Sequence, residues 1–292
     1  MTRRRSAALL LALATLLAVG AAPVSALTVQ RTWTAKIGSG GIYGRVTVRA
    51  YTNGVGSVAY SLKGLKHGST YKIAVRGGTC SSLSTVAVST SIRTSSTGTA
   101  SRTDTLLPWD MDKVWVQARK SSFVVRLVSG TSVKCATFSF PHATRVTIGS
   151  LSINLPVIRG PNAYPKCKVA MYAPSVAQPR EPGYTFIYAH ARTGMFLPML
   201  TQFRNHGAAG LLGRVVKVYT SDSYVSYYKI NFVKKTSDSF AGAFSLSTER
   251  LRLQTSTGPN YTYPKLIADA YRYKTVKTTY SASHPTPHPV TC

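Results

Sequence analysis

The stretch LRLQTSTGP at Leu251–Pro259, followed by KLIADA at Lys265–Ala270, is the part of this 292-residue chain that indicates its fold most clearly. Apolar residues bounded by Gly, Pro, Asn and Tyr predict two strands joined by a loop. A hydroxyl residue, Ser256, stands at the end of the first strand, and a cation, Lys265, opens the second. A nucleophile at a strand end with a fixed positive charge beside it suits acyl transfer.

The N-terminal segment 1–26 has the pattern of a secretory signal peptide. Arg3–Arg5 precede an apolar run at Ala7–Ala22, and the small residues Val24–Ala26 follow. The apolar run is shorter than the roughly 20 residues that a membrane-spanning helix needs. We therefore expect cleavage near Ala26, and a secreted, cell-wall-associated protein that begins near Leu27.

The charge is strongly positive: 36 Lys and Arg against 8 Asp and Glu give a formal net charge of +28. Such a charge suits polyanionic surroundings, and for an exported protein these are anionic cell-wall polymers or a membrane surface. A solvated basic surface that aids solubility is the alternative. The basic residues are dispersed, without a recognition helix or zinc-finger spacing, so the sequence does not favour sequence-specific nucleic-acid binding.

Four cysteines in an exported chain favour disulfides. Pairing within each half, Cys80 with Cys135 and Cys167 with Cys292, is the simplest of the three connectivities. A free thiol at Cys167 stays open, because Cys292 lies in a Pro-rich tail. No Cys, His or carboxylate cluster has metal-ligand spacing, so we expect no metal and no cofactor.

Residues 27–140 predict a β-sandwich domain. Alternating apolar and polar residues recur in short runs such as Arg45–Tyr51 and Tyr71–Val75, separated by turns with Gly and Asn. This spacing is typical of an antiparallel, Ig-like sandwich. One helix is predicted around Leu107–Lys120. The fold class is therefore mainly all-β.

From residue 145 the composition changes, and the elements follow in a definite order. A hairpin at Arg145–Ile158 turns through Gly149, an apolar strand in Pro182–Arg192 ends on His190, and a short Phe/Leu helix follows. A central hairpin then precedes the Ser256 and Lys265 strands. The tail 275–292, with three prolines among Thr and His, is predicted to be extended and mobile.

This order resembles the sortases, transpeptidases of Gram-positive cell surfaces. In that family a strand of the form Leu-x-Leu-x-Thr-Cys ends on the nucleophile, the next strand opens with Arg, and another strand ends on the catalytic His. The resemblance covers residues 145–272 and implies a closed, sortase-like β-barrel domain at 145–274. Ser256 stands where the family has Cys, Lys265 where it has Arg, and His190 matches the His.

The resemblance implies roles for these residues. His190 would be the general acid and base, Ser256 the nucleophile, and Lys265 the group that stabilises the oxyanion. Thr255, Arg192 and Arg272 are the expected substrate-binding residues. The implied partners are sorting-type peptides, and the expected state is a monomer.

The substitution of Ser for Cys leaves two hypotheses open for the function of the barrel. As a nucleophile, Ser256 would need neutral His190 in hydrogen-bond reach and, in the usual triad, a carboxylate on the imidazole. Nothing in the sequence places Glu181, Asp222 or Asp269 on that ring. The second hypothesis is that the barrel is a catalytically inactive module that binds wall polymers or peptides. An unrelated serine hydrolase is not favoured, because the sequence has no Gly-x-Ser-x-Gly motif.

Overall fold

The computed structural model describes residues 29–38, 41–118, 123–130, 132–160, 165–241, 248–257 and 263–292. The expected signal peptide at 1–26 lies outside these residues. Within the described ranges, no helix has both the length and the apolar character needed to cross a membrane.

The first eight strands form two four-stranded antiparallel sheets. Their bounds are β1 Val29–Ile37, β2 Tyr43–Tyr51, β3 Gly56–Lys63, β4 Thr70–Gly78, β5 Leu83–Arg93, β6 Ala100–Leu106, β7 Phe123–Ser129 and β8 Ser132–Thr137. One sheet has the order β1-β2-β3-β6 and the other β5-β4-β7-β8. A common apolar core that includes Trp33, Tyr60 and Leu127 joins them. The expected sandwich is confirmed, because both sheets contribute buried apolar residues to that one core.

The predicted helix is also present. Helix α1, Pro108–Ala118, begins with proline, whose fixed φ suits the first turn, and it buries Met111 and Val114 against the sandwich. Its outer side carries Trp109, which is 60% exposed.

The second half is a closed barrel of eight strands. They are β9 Ala143–Ile148, β10 Ile153–Arg159, β11 Ala170–Tyr172, β12 Gly183–Tyr188, β13 Val215–Thr220, β14 Tyr224–Thr236, β15 Glu249–Thr255 and β16 Lys265–Lys277. The barrel order is β10-β11-β12-β15-β16-β14-β13-β9. Helix α2, Leu197–His206, lies between β12 and β13 in the chain, and helix α3, Tyr280–Ser283, follows β16. Closure removes free sheet edges. The predicted fold class, mainly all-β, is therefore confirmed.

Two strand pairs in this barrel are parallel, β10 with β11 and β12 with β15, while the other pairs are antiparallel. A parallel pair sends both chains out of the same edge of the sheet. The carboxyl ends of β12 and β15, which are 67 residues apart in sequence at Tyr188 and Thr255, therefore lie side by side.

The tail differs from the expected mobile segment. Strand β16 continues to Lys277, where it pairs with Tyr224 of β14, and α3 follows with Ser283 fully buried. Further on, Val290 and Cys167 exchange two backbone hydrogen bonds of 2.9 and 3.3 Å. The prolines predict an extended, mobile tail, but pairing with distant strands and a disulfide hold this segment in place.

Both disulfides follow the within-half pairing. Cys80 and Cys135 have a Cα–Cα distance of 5.7 Å, and Cys167 and Cys292 one of 5.4 Å. The first bridge ties the loop after β4 to β8, and both strands belong to the same sheet. The second excludes a free thiol at Cys167 in this structure.

A buried cation connects the sandwich to the barrel domain. Arg31 of β1, 5% exposed, donates to Glu181 at 2.8 Å and to the Val176 carbonyl at 2.8 Å. Its guanidinium also lies 5.1 Å from the Trp115 ring centroid and 5.0 Å from that of Phe140. Because Glu181 is itself only 12% exposed, each charge depends on the other for compensation.

We predict that Arg31→Met lowers the free energy of unfolding by about 3–5 kcal/mol, since it leaves the Glu181 carboxylate buried without its cation. Urea unfolding followed by tryptophan fluorescence measures this. Arg49→Met, which removes an exposed cation from the neighbouring strand, is the matched control and should change stability by less than about 0.5 kcal/mol. Equal effects of the two substitutions would contradict the assignment.

Candidate active site

His190 lies two residues beyond the end of β12 and is 8% exposed. The chain turns directly after it, through Gly194 at a φ of 74°, which favours glycine. The Phe196 amide donates back to the His190 carbonyl at 3.0 Å, and the fully buried Phe196 side chain packs in the barrel core. Barrel packing therefore fixes the backbone of His190.

The strand register, continued past its last paired residues, gives the three predicted catalytic residues neighbouring positions. Tyr188 pairs with Gln254 in the parallel β12–β15 ladder, so two more residues along each chain set His190 beside Ser256. Thr255 pairs with Leu266 in the antiparallel β15–β16 ladder, which sets Ser256 beside Lys265. Neighbouring strands are about 4.8 Å apart. We call His190, Ser256 and Lys265 the site row.

Hydrogen bonds continue the pairing up to this row. The Ala189 amide donates to the Gln254 carbonyl at 3.1 Å, and the Thr255 hydroxyl donates to the Ala189 carbonyl at 3.0 Å. Thr255 is 1% exposed, so its hydroxyl holds β15 to the end of β12. After the row, Arg204 of α2 donates to the Thr257 carbonyl at 2.9 Å.

The electrostatic surroundings of His190 favour a neutral ring. Burial lowers the pKa of His190 from 6.5; the nearby Pro165 carbonyl opposes this, while the charges of Arg192 and Lys265 lower it further. The ring Nε2 lies 2.7 Å from the Pro165 carbonyl oxygen, which can only accept, so Nε2 carries a hydrogen. In the neutral ring, Nδ1 is then the basic nitrogen. Burial also lowers the pKa of Lys265.

Two sulfur atoms lie against the same imidazole. A ring nitrogen of His190 and the sulfurs of Cys167 and Cys292 are all within 4.8 Å of one another. Both sulfurs belong to a disulfide, which lacks the thiolate that ligates metals, so the group as it stands is not a metal site. No spacing in the sequence predicts these sulfurs beside His190, because Cys167 and Cys292 are 125 residues apart.

An open cavity of about 750 Å³ lies next to His190. Its lining includes Asn154, Cys167, Lys168, Arg192, Met195 and Leu197. This volume is within the usual range for a ligand site, and apolar and cationic groups converge there. Arg192, predicted to bind substrate, thus lies at a cavity beside the site row.

Two other arginines of these strands, Arg252 and Arg272, are held in ion pairs. Arg252 makes a two-point contact with Asp269, with both N–O distances 2.7 Å, and is 4% exposed. Arg272 pairs with Glu249 and lies seven residues along β16 from Lys265, or about 23 Å at about 3.3 Å per residue. Arg272 therefore does not join the site row.

All eight acidic residues of the chain lie in the described ranges, and six of them are in ion pairs with Arg or Lys. Of the three weighed as partners of His190, Glu181 pairs with Arg31, Asp269 with Arg252 and Asp222 with Arg180. Among described residues, the charged groups that shift the pKa of His190 are cations. The site row thus resembles a Ser–His pair beside a lysine rather than a triad.

No model of a known protein family matches the chain, and no curated protein sequence matches it. Solved sortase structures are similar to it. Sortase A of Listeria monocytogenes is 18% identical over 48% of this chain and 93% of its own, with a TM-score of 0.39. Sortase C1 of Streptococcus agalactiae is 13% identical over 46% and 69%, with a TM-score of 0.37.

A third similar structure is sortase C-1 of Actinomyces oris, 18% identical over 44% of this chain and 71% of its own, with a TM-score of 0.38. These TM-scores are below 0.5, so the functional proposal rests on the residues of the barrel itself.

We predict that His190 titrates below pH 6.5, because burial and two cations disfavour the charged ring. Protonation then destabilises the fold as the pH falls below about 6.5, where the unfolded chain binds the proton more readily. Proton–nitrogen NMR spectra of the imidazole ring measure the midpoint.

Arg192→Met and Lys265→Met should each raise this midpoint, because each removes a nearby positive charge. Lys274→Met, on the same strand as Lys265 but exposed and nine residues further along, is the control and should leave it unchanged. A midpoint at or above 6.5 in the unsubstituted protein would contradict the described surroundings.

Proposed function

We propose that this is a secreted protein with a sortase-like barrel that binds peptide segments at the cell surface and transfers their acyl groups through the site row. The observation that carries the proposal is the strand register, in which Tyr188 pairs with Gln254 and Thr255 with Leu266. Continued past these pairs, this register supports neighbouring positions for His190, Ser256 and Lys265. The cavity next to His190, with Arg192 and Lys168 in its lining, would receive the peptide.

The proposed reaction has two acyl-transfer steps. Ser256 Oγ attacks a peptide carbonyl carbon as its proton passes to neutral His190, and the Lys265 ammonium stabilises the developing oxyanion. The C–N bond breaks, the departing amine takes the proton from His190, and an ester remains on Ser256. An incoming amine then attacks the ester, forms a new amide and returns the proton to Ser256 by way of His190.

A second candidate function is peptide or wall-polymer binding without catalysis. Two features favour it: the described charged neighbours of His190 are cations, and the Cys167–Cys292 disulfide lies against its ring. Without an orienting carboxylate, a Ser–His pair is a weaker catalyst. The net charge of +28 suits anionic wall polymers as the bound partner.

Activity assays separate these functions. With fluorogenic sorting-type peptides and an amine acceptor, we expect slow turnover by the unsubstituted protein. The turnover rate of Ser256→Ala should be lower by about a thousandfold or more. Ser256→Cys should turn over faster, because a thiol ionises far more readily than a hydroxyl.

Ser89→Ala, at an exposed position on β5 in the sandwich, is the matched control and should retain full activity. Turnover that survives Ser256→Ala would refute Ser256 as nucleophile. Peptide binding with no turnover in either the unsubstituted protein or Ser256→Cys would favour the binding function.

A further inference from the structure

Of the two sulfurs beside His190, one comes from Cys167, in the segment between β10 and β11, and the other from Cys292. The Cys167 sulfur lies within 4.8 Å of a His190 ring nitrogen, and Cys167 lines the 750 Å³ cavity. Ser256 is not among the residues that line this cavity. A peptide held there would meet Cys167 directly.

We propose that Cys167 is a latent thiol nucleophile, which His190 activates once a dithiol reductant has opened the disulfide to Cys292. The inference rests on the proposed function only in sharing His190 and the class of peptide substrate. It assigns a different attacking atom from a different segment of the chain.

The surroundings of Cys167 favour a thiolate. Lys168 is its neighbour in sequence and lines the same cavity, and Arg192 lines that cavity and acts on His190. Lys265 also acts on the His190 ring, and no carboxylate is among the described groups that shift its pKa. A neutral imidazole can accept the thiol proton, and neighbouring cations stabilise the resulting negative sulfur.

The disulfide to Cys292 keeps this nucleophile capped. Cys167 and Val290 exchange backbone hydrogen bonds of 2.9 and 3.3 Å, which lay the end of the described chain across the segment that carries Cys167. Cys292 itself is exposed, so its sulfur is the accessible one for an incoming thiolate.

The electrons balance with a dithiol as the named reductant. Its thiolate attacks Cys292 Sγ, the bond between Cys292 and Cys167 breaks, and Cys167 departs as a thiolate. The second thiol of the reductant then attacks the mixed disulfide, releases Cys292 as a thiol and leaves the reductant as a disulfide.

The acyl step then follows on Cys167. The Cys167 thiolate takes a proton from water, and the thiol passes that proton to neutral His190 as its sulfur attacks a peptide carbonyl carbon. The C–N bond breaks, and His190 gives the proton to the departing amine. A thioester remains on Cys167, and an acceptor amine converts it to an amide.

The first disulfide provides an internal comparison. Among the described residues, the sulfurs of Cys80 and Cys135 belong to no cluster with a histidine, whereas those of Cys167 and Cys292 do. Both bridges connect Cα atoms at ordinary separations, 5.7 and 5.4 Å. The difference between them is the chemistry beside the sulfur.

Two single substitutions test the proposal with one free thiol each. Cys292→Ser leaves Cys167 as a thiol, and Cys167→Ser leaves Cys292, with the Cys80–Cys135 bridge intact in both. At pH 7 we expect iodoacetamide to alkylate Cys292→Ser at least about tenfold faster than Cys167→Ser, with a rate midpoint below the ordinary thiol pKa of about 8.5.

Adding His190→Gln to Cys292→Ser should slow the alkylation of Cys167 to near the rate of Cys292 in Cys167→Ser. Equal alkylation rates for the two single-thiol variants, or a rate that His190→Gln leaves unchanged, would overturn the proposal. Thermal melting checks that both variants fold. In the unsubstituted protein, brief treatment with a dithiol followed by alkylation and peptide mapping tests the same point without any substitution, and slow labelling of Cys167 there would also overturn it.

The attacking atom is found by acyl trapping. Cys292→Ser is incubated with a peptide thioester without an amine acceptor, and the adduct is located by mass spectrometry. An adduct on Cys167 supports the proposal. An adduct on Ser256 alone overturns it and leaves the proposed function standing, while an adduct on Cys167 alone refutes Ser256 as the nucleophile.

Discussion

The parallel pairing of β12 with β15 is the constraint on which the site depends. It joins strands whose carboxyl ends are 67 residues apart in sequence, and it sends both chains out of the same edge of the sheet. β16 then pairs antiparallel to β15 and starts at that edge with Lys265. The Arg252–Asp269 ion pair lies between the strands of the second pairing and is almost fully buried. Chain direction and register, rather than any local motif, therefore assemble the site row.

Much of this fold could be predicted from local patterns. The turn at Gly149, the apolar run before His190 and the Leu251–Ser256 stretch each had clear boundaries, and the structure has β9 and β10, β12 and β15 at these places. Alternation of apolar residues with a period of two is a property of a strand itself, so it is visible without knowledge of the neighbours. The helix predicted around Leu107–Lys120 is present at Pro108–Ala118, and its signal is equally local, namely side chains four residues apart on one helix face.

Contacts between distant segments could not be predicted in this way. The prolines after residue 284 suggested a mobile tail, but a ladder with β14, the Val290 pairing and a disulfide order the segment. The cluster of Cys167, Cys292 and His190 combines residues up to 125 apart, and no spacing in the sequence reveals it. Likewise Arg272, predicted to bind substrate, is only seven residues from Lys265 in sequence, but the extended geometry of β16 separates the two residues by about 23 Å.

The charge balance bears on which nucleophile this site can use. With 36 basic and 8 acidic residues, most carboxylates are paired with Arg or Lys, and the described charges acting on His190 are positive. Such surroundings disfavour an imidazolium, which both a Ser–His pair and a Cys–His pair form during acyl transfer. The same cations stabilise a thiolate, whose negative charge exists before the attack begins. The electrostatics that weaken Ser256 as a nucleophile thus favour sulfur, and the sulfur beside His190 belongs to Cys167 and Cys292.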